Sequence, residues 1–202
     1  ASSLNIGMNI SGAGTVTIAG SGTVTLVGTN TYTGNTVIGN GSTLSVPTAG
    51  AIGAGNIQGS GGSLTISSGV VLSQINATGS LRLLSDVTTS GNQTWGNLIV
   101  TQSPLTTLKS QNGSIIFNGT LDGATTKANS LLVLTPNGST TFNSSVGSTM
   151  PLNVLEVDST RTNINADVLT ANQQNYCGAT GCYTALTTAQ VNNNYCASAD
   201  CY

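Results

Sequence analysis

Residues 22–46 contain three short runs in which every second residue is apolar, and Gly and Asn separate these runs. Such short alternating runs are typical of a β-strand with one buried face, and Gly and Asn are typical of the turns that follow strands. Similar runs recur along almost the whole chain. This repeated unit constrains the fold more than any other feature, and it predicts an all-β protein.

A short apolar motif repeats along the chain at nearly constant spacing until a longer last interval. It begins at Ser63, Ser80, Asn97, Ser114, Ser130 and Asn153. A period of about 17–20 residues is too long for hairpins with tight turns and is typical of one coil of a β-solenoid. The alternative is a β-sandwich or jelly roll, which also has short strands and Asn-Gly turns.

The physical logic of a solenoid agrees with this period. Each coil has an inward apolar row that it cannot bury alone, so successive coils stack at the strand spacing of about 4.8 Å. We therefore predict a parallel β-helix (β-solenoid) of about ten rungs over residues 1–170. Asn, Ser and Thr at equivalent positions are expected to form side-chain ladders between rungs.

Composition excludes several classes of function. Only 5% of residues are charged, against roughly 25% in an ordinary domain, and the cations are scattered singly, which argues against a nucleic-acid partner. No apolar run is long enough to span a bilayer. Of the acidic residues only Glu156 and Asp158 are close, and at this spacing we expect both on one solvated strand face. We expect no catalytic site, no cofactor and no metal.

Two stretches resemble known bacterial exoproteins. The first runs over residues 22–46, with Gly22-Thr-Val-Thr-Leu-Val-Gly-Thr-Asn-Thr-Tyr-Thr-Gly-Asn-Thr36, and resembles the passenger repeat of autotransporters. The second runs over residues 88–121, with Thr88-Thr-Ser-Gly-Asn-Gln-Thr-Trp95 and Gly113-Ser-Ile-Ile-Phe-Asn-Gly-Thr, and is similar to repeats of filamentous-haemagglutinin-type exoproteins. In those families such repeats form right-handed parallel β-helices displayed outside Gram-negative cells. The resemblance therefore implies the same handedness here and a place on the cell surface.

The chain also departs from those families. It carries no outer-membrane translocator barrel and no recognisable two-partner secretion domain, and those families are poor in cysteine. It is either an excised segment of a giant exoprotein or a small subunit that extends by assembling. Both alternatives stay open at this point.

The segment 171–202 is a duplicated module with two Cys-x4-Cys loops, offset by the length of one coil, and is expected to bear disulfides in an oxidising compartment. Each loop can close on itself (Cys177–Cys182 and Cys196–Cys201), which we favour. Equivalent cysteines on stacked rungs can instead bond (Cys177–Cys196 and Cys182–Cys201). A cross-link to a neighbouring subunit and a four-cysteine zinc site are less favoured alternatives.

Two further sets of residues are candidates for an assembly surface. One is the tyrosines that flank the cysteines, which are either packing for the disulfides or an aromatic contact surface: Tyr176, Tyr183, Tyr195 and Tyr202. The other is the uncharged alternating edge expected over residues 1–10, formed by Leu4, Ile6, Met8 and Ile10.

These features predict an extracellular structural protein that forms or extends a surface fibre by head-to-tail stacking on itself. The alternative is a glycan- or host-receptor-binding module of a longer adhesin, with Trp95, the single Trp, anchoring an aromatic groove. Thr-x-Thr motifs at Thr15, Thr23 and Thr31 resemble the hydroxyl array of ice-binding solenoids, but we interpret them as β-branched strand residues.

Overall fold

The computed structural model describes residues 2–102, 104–125 and 128–178, together with the backbone of residues 181–186 and 194–196. Over these residues the protein is an all-β parallel solenoid of about nine turns with no helix, which confirms the predicted fold class. The described strands are β1 (Ser3–Ile6), β2 (Val16–Ile18), β3 (Thr23–Leu26), β4 (Thr36–Ile38), β5 (Thr43–Val46), β6 (Ile57–Ile66), β7 (Val71–Leu72), β8 (Ile75–Leu83), β9 (Val87–Thr89), β10 (Gln93–Trp95), β11 (Asn97–Val100), β12 (Leu105–Ser110), β13 (Ile115–Phe117), β14 (Leu121–Gly123), β15 (Ser130–Phe142), β16 (Leu152–Ile164), β17 (Thr170–Gly178), β18 (Gly181–Leu186) and β19 (Asn194–Cys196).

The strands stack into three parallel faces. Face 1 contains β1, β3, β5, the second parts of β6 and β8, then β11 and β14. Face 2 contains β2, β4, the first parts of β6 and β8, then β10, β13 and the last parts of β15 and β16. Face 3 contains β7, β9, β12, the first parts of β15 and β16, and β17. Parallel pairing between successive turns excludes the sandwich alternative, whose neighbouring strands are antiparallel.

The turns are not of constant length. On face 1 the register partners Leu4, Val24 and Leu44 follow one another at equal intervals. The interval from Leu81 to its partner Leu98 is shorter, and the interval from Leu98 to its partner Leu121 is longer. The predicted repeat frame is therefore correct from Ser80 to Asn97, which are register partners, and wrong before and after them, since Ser63 pairs with Arg82 and not with Ser80. Corner loops absorb the extra residues at little cost, because loop-closure entropy rises slowly with loop length.

This slip moves the later repeat motifs onto other faces. The motif at Ser114 precedes β13 on face 2, and the motifs at Ser130 and Asn153 lie in β15 and β16 on face 3. A short alternating motif predicts a strand with one side chain row facing the core, but it does not predict which of the three faces that strand belongs to. The three faces have the same alternation, so the sequence pattern cannot distinguish them.

The core is a set of apolar columns that run along the axis. Leu26, Val46 and Leu98 are no more than 1% exposed. An aromatic column on face 2 begins at Trp95, which pairs with Phe117, and the Phe117 and Phe142 rings stack with centroids 4.9 Å apart and planes 2° from parallel. Stacking of like residues on successive turns buries each apolar row against the next, which no single turn achieves.

Polar ladders join the turns, as the sequence predicts. On the outside, Asn143 Nδ2 donates to Asn118 Oδ1 at 2.9 Å, and Asn165 Nδ2 donates to Asn143 Oδ1 at 2.8 Å. Inside, at the corner between faces 3 and 2, the hydroxyls of Thr135 and Thr140 are 3.1 Å apart, and both residues are fully buried. Each buried hydroxyl in this pair has a partner, so it avoids the desolvation cost of an unpaired polar group.

One glycine shows how closely the turns approach. Gly79 has φ +71°, and a Cβ at this position would lie 2.1 Å from the carbonyl oxygen of Gly59 on the previous turn. Both the left-handed backbone and the missing side chain are therefore required here.

Two adjacent leucines of β15 test the inward and outward assignment. Leu131 is fully buried and Leu132 is half-buried on the outer surface. We expect Leu131→Ala to lower the free energy of unfolding by about 2–5 kcal/mol because it leaves a cavity, and the matched Leu132→Ala to cost much less. Urea denaturation followed by circular dichroism measures both. Equal losses for the two variants would contradict the assignment.

Candidate functional surfaces at the two ends of the solenoid

The first turn leaves one end of the core open. Leu4 of β1 lies in register with Val24, and Val24 with Leu44, so Leu4 belongs to an inward row. Leu44 is fully buried, whereas Leu4 is 57% exposed, and no described turn lies over it. Ile6 belongs to the next inward row and is half-buried. Among the described residues β1 pairs with β3 alone, and its other edge has no strand partner.

The predicted assembly row at this end is only partly correct in its geometry. The alternating edge was expected to run over residues 1–10, but β1 ends at Ile6, where the chain leaves face 1. Met8 lies beyond that corner and is 79% exposed. Ile10 is half-buried against the core, and its backbone N–H donates to Asn30 Oδ1 at 2.7 Å. Leu4 and Ile6 therefore form the open edge, whereas Met8 and Ile10 flank it.

No charged side chain protects this end. The first Asp, Glu, Lys or Arg in the sequence is Arg82, so the four turns nearest the open edge carry no charged side chain at all. Proteins usually protect exposed strand edges with charges, prolines or bulges. Sequence reasoning found the neutral edge over residues 1–10 but missed that this neutrality extends across four turns.

The other end has a different geometry. β18 pairs antiparallel with β17 on face 3, and β19 pairs antiparallel with the last part of β16 on face 2. On face 1 the described ladder ends with the parallel bridge from Val146 to Val168. The strand direction therefore reverses on two faces of this end. The first residues of the predicted C-terminal module, 171–178, lie in β17, which continues the parallel stack.

The backbone register separates the two disulfide patterns. Cys177 is directly opposite Cys182 in the antiparallel β17–β18 pair, whereas the backbone partner of Cys196 is Arg161. Directly opposed residues of an antiparallel pair have Cα atoms about 4.5–5.5 Å apart, which is within the range of a disulfide. The register thus favours local loops. The disulfides themselves stay a prediction, since the side chains of Cys182 and Cys196, and the whole of Cys201, lie outside the described residues.

Tyr176 does not provide an exposed aromatic contact. It is 4% exposed, and its hydroxyl donates to Gln174 Oε1 at 3.0 Å, while Gln174 Nε2 donates to the carbonyl oxygen of Val168 at 3.0 Å. Its role is packing, which is one of the two interpretations of the tyrosines. The side chains of Tyr183 and Tyr195, and the whole of Tyr202, lie outside the described residues.

The hypothesis that Trp95 anchors a surface groove is wrong. Trp95 is 1% exposed in the aromatic column of face 2, and its Nε1–H donates to Gln93 Oε1 at 3.2 Å. Gln93 is also fully buried, and its Nε2 donates to the carbonyl oxygen of Lys109 at 2.8 Å. A lone Trp in an alternating strand has the same sequence pattern whether it points in or out, and only the register placed it inside.

The paired carboxylates lie where the sequence predicts. Glu156 and Asp158 are both exposed on the outer side of β16, which confirms the solvated face.

The threonine motifs do not form one array. Thr23 begins β3 on face 1, whereas Thr15 directly precedes β2 of face 2 and Thr31 lies in the segment between β3 and β4. Face 1 instead stacks outward hydroxyl residues from β3, β5 and β6, which sequence spacing alone did not reveal: Thr23, Thr25, Thr43, Ser45, Ser63 and Thr65.

Comparison with protein-family models, curated proteins and solved structures found no match. The resemblance to autotransporter passengers and haemagglutinin-type exoproteins therefore rests on the motifs themselves and stays a prediction. Within the described part of the chain, no helix is long and apolar enough to cross a membrane. The same residues contain no group of three His, Cys, Asp or Glu side chains close enough to hold a metal ion.

Thiol counting in paired variants tests the disulfide connectivity. If each loop closes on itself, the double variant Cys177→Ser/Cys182→Ser keeps the Cys196–Cys201 bond and has no free thiol. The control Cys177→Ser/Cys196→Ser then leaves two unpaired cysteines. Titration with a thiol reagent in denaturant measures both variants, and the reverse result would establish rung-to-rung bonds.

Proposed function

We propose that the protein is an extracellular structural protein that forms or extends a bacterial surface fibre by end-to-end stacking of solenoids. The observation that carries the proposal is the open end: Leu4 is 57% exposed in a row that is buried from Leu44 onward. Nine turns at about 4.8 Å give a rod roughly 40 Å long, which offers a rigid unit for assembly. The Gram-negative cell surface is proposed from the motif resemblance, and the paired cysteines fit an oxidising compartment.

The head-to-tail mode has a defined contact on face 1. The edge of β1 in one copy faces the last described position of the same ladder, Val168, in the next copy. This contact extends the face 1 stack beyond the bridge that joins Val146 to Val168 within one chain. It depends mainly on apolar burial, because the carbonyl oxygen of Val168 already accepts Gln174 Nε2. On faces 2 and 3 the antiparallel strands β19 and β18 occupy the corresponding edges, so face 1 carries the contact. Burial of Leu4 and Ile6 then supplies the apolar contribution to association.

The alternative, a glycan- or receptor-binding adhesin module, loses its proposed anchor because Trp95 is buried. The uncharged surface of the first four turns supports contact between copies, since no like charges oppose each other there.

Charge placed on the open edge tests the stacking mode. We expect the chain to form concentration-dependent rods, and Leu4→Lys to weaken association by at least about tenfold. Burial of a Leu side chain contributes about 1.5–3 kcal/mol, and the variant also buries a charge. The control is Thr78→Lys, which adds the same charge at an exposed position of face 2. Sedimentation velocity and electron microscopy measure the assemblies.

Two results would contradict the proposal. If the unmodified chain remains monomeric over a wide concentration range, self-stacking is not its function. If the Leu4→Lys and Thr78→Lys variants assemble equally well, a surface other than the open edge mediates the contact.

A further inference from the structure

A groove of about 340 Å³ lies on the outer surface of face 1, away from both ends of the solenoid. Its floor is a column of outward residues on three successive strands, in which Arg82 of β8 pairs with Ile99 of β11 and Ile99 pairs with Asp122 of β14. A cation, an apolar side chain and an anion therefore follow one another along the axis. Two strand spacings separate the Cα atoms of Arg82 and Asp122 by about 9.5 Å.

Asp122 is held rigidly at one end of the groove. It is 7% exposed, and its Oδ1 accepts the backbone N–H groups of Thr149 at 2.9 Å and Met150 at 3.1 Å. These bonds hold the segment that contains Thr149 and Met150 as the wall of the groove. Within the described chain the second carboxylate oxygen, Oδ2, has no hydrogen-bond partner, so it is available to accept a hydrogen bond from a ligand.

Arg82 supplies an unengaged cation at the other end. It is half-buried, and its guanidinium forms no ion pair or hydrogen bond with any described residue. Asp122, the acidic residue in the groove lining, is two strands away and is not ion-paired with it. A guanidinium in this setting is suited to bind a carboxylate in the planar, two-bond geometry that arginine favours.

Neutral polar groups line the space between the two charges. Asn97 is fixed in place, because its Nδ2 donates to Ser80 Oγ at 3.3 Å and its Oδ1 accepts the backbone N–H of Thr120 at 3.0 Å. Thr120 also lines the groove, and Ile99 gives an apolar floor. A few fixed polar groups around an apolar floor are the usual composition of a ligand site.

We propose that this groove binds an acidic glycan, with the carboxylate of a sugar acid on Arg82 and a sugar hydroxyl donating to Asp122. The apolar C–H face of the sugar ring lies on Ile99. An extended peptide fits less well, because peptides add to sheet edges through backbone hydrogen bonds and here the backbone groups of the floor are paired within the ladder. The proposal does not depend on end-to-end stacking, and it gives the glycan-binding alternative a site other than Trp95.

Titration of the full isotope-labelled chain with a hyaluronan tetrasaccharide tests this site by NMR. We expect amide shifts confined to β8, β11, β14 and residues 149–150. The same tetrasaccharide with its carboxylates methyl-esterified is expected to bind at least about tenfold more weakly, because it lacks the charged partner of Arg82.

Two variants and a matched control separate the groove from general electrostatics. Arg82→Gln is expected to weaken binding at least about tenfold, whereas Arg161→Gln, which removes an exposed cation from face 2, leaves it unchanged. Ile99→Glu places a negative charge on the floor and is expected to abolish binding. Circular dichroism verifies that each variant is folded.

The proposal is overturned if the tetrasaccharide causes no shifts at the groove, or if the acid and its ester bind equally. Equal losses in Arg82→Gln and Arg161→Gln would overturn it as well, since they indicate attraction by overall charge. None of these results depends on the oligomeric state, so the stacking proposal can fail separately.

Discussion

Every other feature of this protein depends on parallel pairing between successive turns. One turn of three short strands has an inward apolar row but no opposite layer, so it cannot remove that row from water by itself. Stacking at the strand spacing satisfies the backbone N–H and C=O groups and buries the row at the same time. The columns of Leu, Val and Ile, the stacked Phe117 and Phe142, and the asparagine ladder all follow from this repetition. The same requirement leaves an unsatisfied edge wherever the stack stops.

The two ends meet that requirement in different ways. At the first described turn, one edge of β1 has no described strand partner, Leu4 is exposed and Ile6 is half-buried. At the other end, β18 and β19 reverse direction and pair with the last turns on two faces. An antiparallel strand uses the hydrogen-bonding groups of the edge it covers but does not reproduce the parallel register for another turn. The two ends therefore differ in the strand edges they expose, and in the stacking proposal the reversed strands leave face 1 for contact with the next copy.

Sequence reasoning succeeded where the physical signal is local. Alternation predicted inward strands such as residues 81–83 and 131–133, and neutral Asn, Ser and Thr predicted ladders that are present. It failed for features that depend on which residues of two neighbouring turns are register partners. The repeat frame failed before Ser80, where a register shift in the β6–β8 pair puts Ser63 opposite Arg82. It failed again after Asn97, because a longer turn makes Leu98 pair with Leu121. Trp95 was placed on the surface because inward and outward positions differ only by a single step of register.

The amino-acid sequence by itself determined the all-β class, the stacking unit and the neutral surface, because strand alternation, turn residues and charge are encoded within a few neighbouring positions. Only the tertiary structure decided the assignment of strands to faces, the burial of Trp95 and Tyr176, and the register of Cys177 against Cys182. It also brought Arg82, Ile99 and Asp122 into one column, although they lie far apart along the chain. Such alignments depend on the exact length of each intervening turn, and loops of different length cost almost the same free energy.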